Sequence, residues 1–403
     1  MGLGKKIRAV IAHSPFFIEG VFLFFPVSAC YAVLMPFIWV IVYQLDYPGT
    51  RYIFPQQWHA HEMIFGFYSA ALAGFLCSAV AEWTETKPLN GMRLFRLFLL
   101  WLPGRIVGFF GSDYLMITGS LFDCAFLALL IAYVGLPIIL KKKWKSISFL
   151  LWLLILFILE TTLKISWWQE ETELSSRLLW AIISVFVVLF SLAISRINTV
   201  VTNLSLDPSG ETSPYRPHPG RRNLSPFLTV LYALSMLFLP SSQMQYYLAF
   251  AASAGFMDRT AEWFIGKAAF KAEVLCLALA NTSAGVGFFL IGLSGFNESI
   301  SIYAGLHILT IVTLGLGVLG VFTIAGLRHS GRKLIAVPWQ SKAAIAFIIF
   351  AAASRVLPET SSAFAFINSH YAVAATLWSV AFLLWLWGYL PILGHPVKVS
   401  FPE

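Results

Sequence analysis

What most constrains this chain is a succession of long apolar runs separated by short polar ones. They fall at about 20–43, 61–82, 94–111, 113–139, 147–165, 178–198, 225–240, 243–262, 272–294, 301–327, 341–357 and 371–392. A hydrocarbon layer about 30 Å thick takes about 20 helical residues to cross, and within it every backbone N–H and C=O must be satisfied by the segment itself. The pattern therefore predicts an all-α polytopic membrane protein of about twelve transmembrane helices, with the lipid bilayer as its first partner. Composition agrees: 59% of the residues are hydrophobic and 11% charged, where a soluble domain has about 45–50% and about 25%. A globular enzyme with a water-washed surface, a disordered chain and a secreted disulfide scaffold are excluded. Cys30, Cys77, Cys124 and Cys276 lie inside apolar runs without short spacings, so they read as small buried core residues. The first run carries no Ala-x-Ala cleavage site and reads as a retained span.

The formal net charge is +8, which in a soluble protein would point to nucleic acid. Sorted by loop, it has another origin. With the N-terminus inside, 22 of the 27 lysines and arginines fall in inner loops, in clusters such as Lys5-Lys6, Lys141-Lys142-Lys143 and Arg221-Arg222. The outer loops hold only Arg51, Lys164, Arg177 and Arg355, and Arg105 lies within the third helix. Such asymmetry orients membrane proteins. It implies cytoplasmic N- and C-termini and an even helix count, and it requires no nucleic-acid partner. Trp58, Trp83, Trp144, Trp167, Trp168 and Trp339, at span ends, are expected at the interfaces.

The polar stretch 199–224, with Asp207-Pro-Ser-Gly210 and Pro214, Pro217 and Pro219, reads as a cytoplasmic linker. It divides the chain into a six-helix N-terminal half, 1–198, and a six-helix C-terminal half, 225–403. Ala70-Ala-Leu-Ala-Gly-Phe75 followed by Ala81-Glu-Trp83 is echoed by Ala251-Ala-Ser-Ala-Gly-Phe256 followed by Ala261-Glu-Trp263. The echo suggests two parallel repeats about an axis along the membrane normal. Secondary transporters share that architecture, so a twelve-helix transporter of a small substrate is the competing functional reading.

Polar groups at membrane depth are costly and therefore informative. His59 and His61 lie at the outer end of the second helix, His307 about two turns below the outer end of the tenth, and His370 at the outer start of the twelfth. His13, His218, His329 and His395 belong to the inner side. Imidazole is the commonest metal ligand, so the four outer histidines are candidate ligands, with polar interface residues as the plainer reading. On a regular helix His59 and His61 diverge by about 200°. Both can serve one metal only if His59 lies on the loop or cap; otherwise His61 goes with Phe65 and Tyr68, and His59 with Glu62, Met63 and Gly66, so that one helix can serve two neighbouring centres. Arg105 and Asp123, on consecutive helices, are expected either to form an ion pair or to leave Arg105 for an anionic group such as a haem propionate. Glu160 is expected at the interface. Asn281, Thr282 and Ser283 should bond a neighbouring helix or line a cavity. Gly315-Leu-Gly-Val-Leu-Gly320 spells a dinucleotide turn, but inside a membrane helix it reads as a packing face.

Trp58-His-Ala-His-Glu-Met-Ile-Phe-Gly-Phe67, with Ala73-Gly-Phe75, Glu82-Trp-Thr84 and Leu102-Pro-Gly-Arg105, resembles the NnrS family of bacterial membrane proteins. So do Leu306-His-Ile-Leu-Thr310 and Leu327-Arg-His-Ser-Gly-Arg332, and more weakly Ser195-Arg-Ile-Asn198. The resemblance implies a polytopic inner-membrane protein that carries haem and copper and takes part in the response to nitric oxide and nitrosative stress, often beside denitrification. It implies His59, His61, His307 and Arg105 as cofactor-binding residues, and it places His329 and Arg196 at family positions. Combined with the clustering above, the expected metal ligands are His59, His61, His307 and His370. The family's Leu-His-x-Gly-Tyr segment in the ninth helix is Leu279-Ala-Asn-Thr-Ser here, which implies the loss of one centre. A haem iron and a copper together would use all four outer histidines. None would remain for a second, electron-feeding haem, so a complete nitric oxide reductase is not expected.

Overall fold

The computed structural model describes residues 3–46, 53–108, 113–333, 337–361, 364 and 370–397. Among them every regular element is helical. After a short helix, Leu3–His13, twelve helical stretches coincide with the twelve apolar runs. They are α1 (Gly20–Val42), α2 (Pro55–Thr84), α3 (Gly91–Gly108), α4 (Asp113–Leu140), α5 (Trp144–Trp168) and α6 (Thr172–Leu206), then α7 (Pro219–Phe238), α8 (Met244–Arg259), α9 (Ala272–Ser294), α10 (Ile302–His329), α11 (Trp339–Glu359) and α12 (His370–Gly394). Among the described residues nine of these, all but α3, α7 and α8, are long and apolar enough to cross a membrane by length and composition. The exceptions have local causes: α3 carries three arginines, α7 opens on Arg221-Arg222, and α8 has 16 residues. The protein is an all-α, multi-pass membrane protein. Leu121, Leu136 and Ile158 stand exposed on α4 and α5, a pattern that suits a surface facing lipid.

Helix ends follow backbone chemistry. Pro55 opens α2 after an extended Phe54; its fixed φ suits a first helical turn, where no N–H partner is missed. Glu85, in the left-handed region at φ 53°, ends the same helix. Its carboxylate meets Lys143 Nζ at 2.5 Å, and that ammonium holds it below the usual carboxylate range. Three helices contain wide π-helical turns, over Ile38–Val42, Glu62–Tyr68 and Ile308–Leu316. His61 and His307 each stand immediately before one of them, and such turns are frequent at functional sites.

The connection expected over 199–224 is shorter. The sixth helix continues to Leu206 and the seventh starts at Pro219, leaving 207–218 between them. Asp207 organises that segment by accepting hydrogen bonds from Ser209 N (3.0 Å) and Oγ (2.5 Å) and from Thr212 N (2.8 Å) and Oγ1 (2.6 Å). These donors hold its carboxyl well below the usual range. Asn203 pins the far end, accepting from Tyr215 N at 2.8 Å and donating to Tyr215 O at 3.2 Å.

The chain separates into two compact units, Met1–Leu179 with Arg328–Arg332 and Leu386–Glu403, and Trp180–Leu327 with Lys333–Trp385. In unit 1, α1 lies on α2 through small residues. Gly20 faces Cys77 and the Gly74 carbonyl, Gly74 faces Phe24 and Phe25, and Gly66 lies against the Tyr31 ring. Val21 N donates to Ser78 Oγ at 3.1 Å and Ser28 Oγ to Phe67 O at 2.9 Å. In lipid, close approach and a few polar bonds replace the hydrophobic drive between helices. In unit 2, α9 and α10 approach through Gly287 and Gly305, while Gly315, Gly317 and Gly320 seat Trp378, Phe190 and Cys276 in turn. That glycine stretch is a packing face, as expected.

Two expectations on burial need correction. Cys30 is exposed and Cys124 half-buried, while Cys77 and Cys276 are core residues; all four are free thiols. Trp144, Trp168 and Trp339 are exposed, but Trp58 and Trp167 are buried. Trp167 is held inside because its Nε1 donates to Gln57 Oε1 at 2.8 Å, and Gln57 Nε2 in turn donates to Ser176 Oγ at 2.8 Å.

Candidate functional site

Five helices of unit 1 direct ionisable side chains into one dry locus. Tyr31 comes from α1, His61 and Glu62 from α2, Arg105 from α3, Asp123 from α4, and Glu160 and Lys164 from α5. Glu160 is 0% exposed, Arg105 2%, His61 and Glu62 3% each, and Asp123 6%. Burying one such charge is expensive, and a group of them persists only if each is paired. Arg105 Nη1 donates to Glu62 Oε2 at 2.8 Å and Nη2 to Asp123 Oδ1 at 2.5 Å. Tyr31 Oη also donates to Glu62 Oε2. Lys164 Nζ lies 3.1 Å from Glu160 Oε1 and 3.2 Å from Asp123 Oδ2. His61 sits at the junction: Nδ1 is 3.0 Å from Glu62 Oε1, and Nε2 is 2.9 Å from Glu160 Oε1 and 2.7 Å from Lys164 Nζ.

Aromatic rings and a glycine shape the walls. Trp167 meets the His61 ring edge-on at 5.2 Å, and Lys164 Nζ lies 5.0 Å from the Trp167 ring. Trp101 meets Tyr31 edge-on at 5.6 Å and donates from Nε1 to the Gly66 carbonyl at 3.1 Å. At Gly104 a Cβ would collide with the Asp123 carboxylate. The resulting pocket of ligand atoms is small: one from each of His61, Asp123 and Glu160 lie within 4.8 Å of one another. An imidazole and two carboxylates form a donor set that a divalent first-row metal accepts.

The ion pair expected between Arg105 and Asp123 is present. Arg105, the candidate for an anionic cofactor group, offers its fork to two carboxylates of its own chain. Glu160 is fully buried, and Lys164 is a helix residue rather than a loop residue. The fifth helix runs on to Trp168, so both groups stand one turn apart inside the locus. Their i, i+4 spacing in an otherwise apolar helix was the available signal. Tyr31 gave no signal, because its partner lies 31 residues away.

The remaining candidates lie apart from this cluster. His59 stacks flat on Trp39, with ring centroids 3.8 Å apart and 14° between planes. In unit 2, His307 Nδ1 is 2.7 Å from the Tyr303 carbonyl. That carbonyl can only accept, so Nδ1 carries the proton, and in the neutral ring Nε2 keeps the lone pair. Arg355, Glu359 and His370 lie within electrostatic range of the ring. Arg355 Nη1 donates to Glu359 Oε1 at 2.7 Å, and its guanidinium lies 4.5 Å from the Tyr371 ring. The fold thus gathers His61 with Arg105 in one unit and His307 with His370 in the other.

Unit 2 also buries Arg259, one of the 22 basic residues expected in inner loops. It is 0% exposed because α6 supplies acceptors for it. Nη1 donates to Ser191 O at 3.1 Å and Oγ at 2.7 Å, and Nη2 to Ser195 Oγ at 2.8 Å. Its Nε lies 3.6 Å from Glu262 Oε2, which also accepts from Tyr215 Oη at 3.1 Å. Asn281 Nδ2 donates to Phe256 O at 3.0 Å, Thr282 pairs with Thr260 at 3.1 Å and Ser283 with Thr313 at 2.8 Å. These are the expected bonds between neighbouring helices.

No curated protein is similar enough to this chain to count as a match. The NnrS protein family, by contrast, matches residues 15–396 of the 403, a span that takes in every helix from α1 to α12, and the chain therefore belongs to the NnrS family.

Proposed function

We propose that this protein binds haem and/or copper in the bacterial inner membrane, with both termini cytoplasmic, and that it binds, senses or detoxifies nitric oxide in the nitrosative-stress or denitrification response. Family membership supports the reading, and the loop charge asymmetry supports the orientation. The observation that carries it is the setting of His307. Metal-bound imidazoles commonly donate their other N–H to a carbonyl or carboxylate, which fixes the tautomer and the ring. His307 makes that bond to Tyr303 O at 2.7 Å, so its Nε2 is prepared as a ligand atom. The donor chemistry therefore fits an iron or copper ion held by His307, with His370 of the same unit within electrostatic range. When bound, haem iron or copper would supply the centre that takes a small uncharged gas. The chain's own contributions are to orient the imidazole through the Tyr303 carbonyl and to hold the Arg355–Glu359 pair within electrostatic range of it.

The test is to purify the protein from haem-replete cells and record its absorption spectrum and metal content. A Soret band or bound copper in the wild type, lost in His307→Ala and kept in His395→Ala, is the expected result. A colourless, metal-free wild-type protein would overturn the reading. Reporter fusions at both ends, active only when cytoplasmic, test the orientation.

A further inference from the structure

The hydrogen bonding of the unit 1 cluster brings two acceptors face to face. His61 Nδ1 faces Glu62 Oε1 at 3.0 Å, while Nε2 faces Glu160 Oε1 at 2.9 Å and Lys164 Nζ at 2.7 Å. As an imidazolium, His61 donates to both carboxylates but sets Nε2–H against an ammonium. Neutral and protonated on Nδ1, it donates to Glu62 and accepts from Lys164, but sets the Nε2 lone pair against a carboxylate oxygen. The other tautomer sets Nδ1 against Glu62. With Lys164 charged, the Nδ1-protonated ring suits its partners best, and Nε2 and Glu160 Oε1 then both face the ammonium, at 2.7 and 3.1 Å. The two facing acceptors thus share one cation, in a place that a metal ion can also take.

Two independent observations point the same way. Glu160 Oε2 is buried with no hydrogen-bond partner among the described residues, although buried carboxylate oxygens normally find one. The geometry agrees: one ligand atom from each of His61, Asp123 and Glu160 lies within 4.8 Å of the others, a spacing that a single ion spans.

We propose that His61 Nε2, Asp123 Oδ2 and Glu160 form a site for a divalent first-row cation of the Zn2+, Mn2+ or Fe2+ class, and that Lys164 is its built-in competitor. Without metal the ammonium fills the site. With metal bound, the lysine withdraws. It stands four residues before the end of α5, and its side chain keeps 12% exposure, so its flexible stem has a way out. The surrounding groups already orient the ligands. Glu62 accepts Nδ1–H and leaves Nε2 for the ion, an arrangement common around bound metals. Arg105 takes Oδ1 of Asp123 and leaves Oδ2 facing inward. One imidazole with two carboxylates favours these ions over Mg2+ and Ca2+, which take oxygen alone, and over Cu(I), which takes thiolate or thioether. The site does not depend on the haem or copper reading, and His61 is here assigned away from it.

The experiment titrates metal-stripped, full-length protein in nanodiscs with Zn2+ by calorimetry and with Mn2+ by electron paramagnetic resonance. One ion per chain is expected. Lys164→Met removes the competing charge and no ligand, so it should tighten binding by about tenfold or more, while Asp123→Asn and Glu160→Gln weaken it by about 10–100-fold, at least the effect of losing an orienting partner. His307→Ala should leave Zn2+ affinity unchanged even where it abolishes haem or copper, which separates failure of one proposal from failure of the other. Absence of binding in both the wild type and Lys164→Met overturns the site. So does Lys164→Met binding no more tightly than wild type, a result that stays informative if the carboxylate variants do not fold.

Discussion

Replacing Arg105 with methionine tests whether the unit 1 cluster is the dry, charge-paired structure described. The guanidinium is 2% exposed and spans Glu62 at 2.8 Å and Asp123 at 2.5 Å. Methionine keeps roughly the stem and removes the charge. Asp123 would retain Lys164 at 3.2 Å, and Glu62 would retain Tyr31 and His61, but the cluster would lose one positive charge. Removing one partner of a buried ion pair costs about 3–5 kcal/mol. Counted separately, two charge-assisted hydrogen bonds at about 1.5–3 kcal/mol each give a similar figure. The expected loss is therefore about 4 kcal/mol. Most of it is the penalty of stranded carboxylates, so Glu62→Gln and Asp123→Asn added to Arg105→Met should bring stability back to within about 1–2 kcal/mol of wild type. Equilibrium unfolding in mixed micelles with increasing dodecyl sulfate, followed by tryptophan fluorescence, measures all the variants. A cost below about 1 kcal/mol for Arg105→Met would refute the buried pairing. A triple variant no more stable than the single one would refute the charge-burial explanation.

Further outcomes follow from individual contacts. Gly66→Ala drives a methyl group into the Tyr31 ring, which its bond to Glu62 holds in place, so it should cost about 1–3 kcal/mol in the same unfolding assay; an unchanged transition would show that the helices are not so close. Arg259→Met leaves Glu262 with Tyr215 but without its cation and removes the donor to the Ser191 and Ser195 hydroxyls, and should cost about 3–5 kcal/mol; a loss below about 1 kcal/mol would contradict its burial. Asp207 titrates below the usual carboxylate range because Ser209 and Thr212 donate to its ionised form. Its folded-state value is lowered, so its ordering of residues 207–212 is present above the ordinary carboxylate pKa and is lost only as pH falls through the lowered one. The Ser209 and Thr212 amides should therefore stay protected from hydrogen exchange through mild acid in the wild type, and be unprotected at neutral pH in Asp207→Ala. Lys143→Ala removes an exposed ion pair with Glu85 and should leave the unfolding transition where it was; a clear shift would mean that this pair is shielded from water.

Lipid made the fold legible. Because hydrocarbon forbids unsatisfied backbone, each long apolar run had one structure open to it, and all twelve coincide with helices. Helix ends were less legible because polarity does not end a helix whose polar side chains bond to the helix itself. The run expected at 178–198 extends to Leu206 through such bonds. Ser195 Oγ donates to Ser191 O, Thr199 Oγ1 to Ser195 O, Thr202 Oγ1 to Asn198 Oδ1 and Asn203 Nδ2 to Thr199 O. Each is a four-residue step back along the same helix, so what reads in sequence as the start of a linker is still helical surface.

The candidate site was legible where partners are close in chain order or carry unlike charge at depth, as with Arg105 and Asp123. It was illegible where a cluster is assembled from five helices, since nothing local ties Tyr31 to Glu62 or His61 to Glu160. Lys164 misled for a specific reason: near a span end, a lysine reads first as a mark of topology. The structure turns that ambiguity into a separable question. Buried ion pairs can often be replaced by neutral or apolar groups without loss of stability, so packing alone is a weak reason for six ionisable side chains, His61, Glu62, Arg105, Asp123, Glu160 and Lys164, to share one locus. Stability and binding should come apart. The triple variant Arg105→Met, Glu62→Gln, Asp123→Asn is expected to fold nearly as well as wild type, yet it lacks one metal ligand and the carboxylate that orients a second. It should therefore lose Zn2+. If it folds and binds the ion with wild-type affinity, the metal does not sit among His61, Asp123 and Glu160.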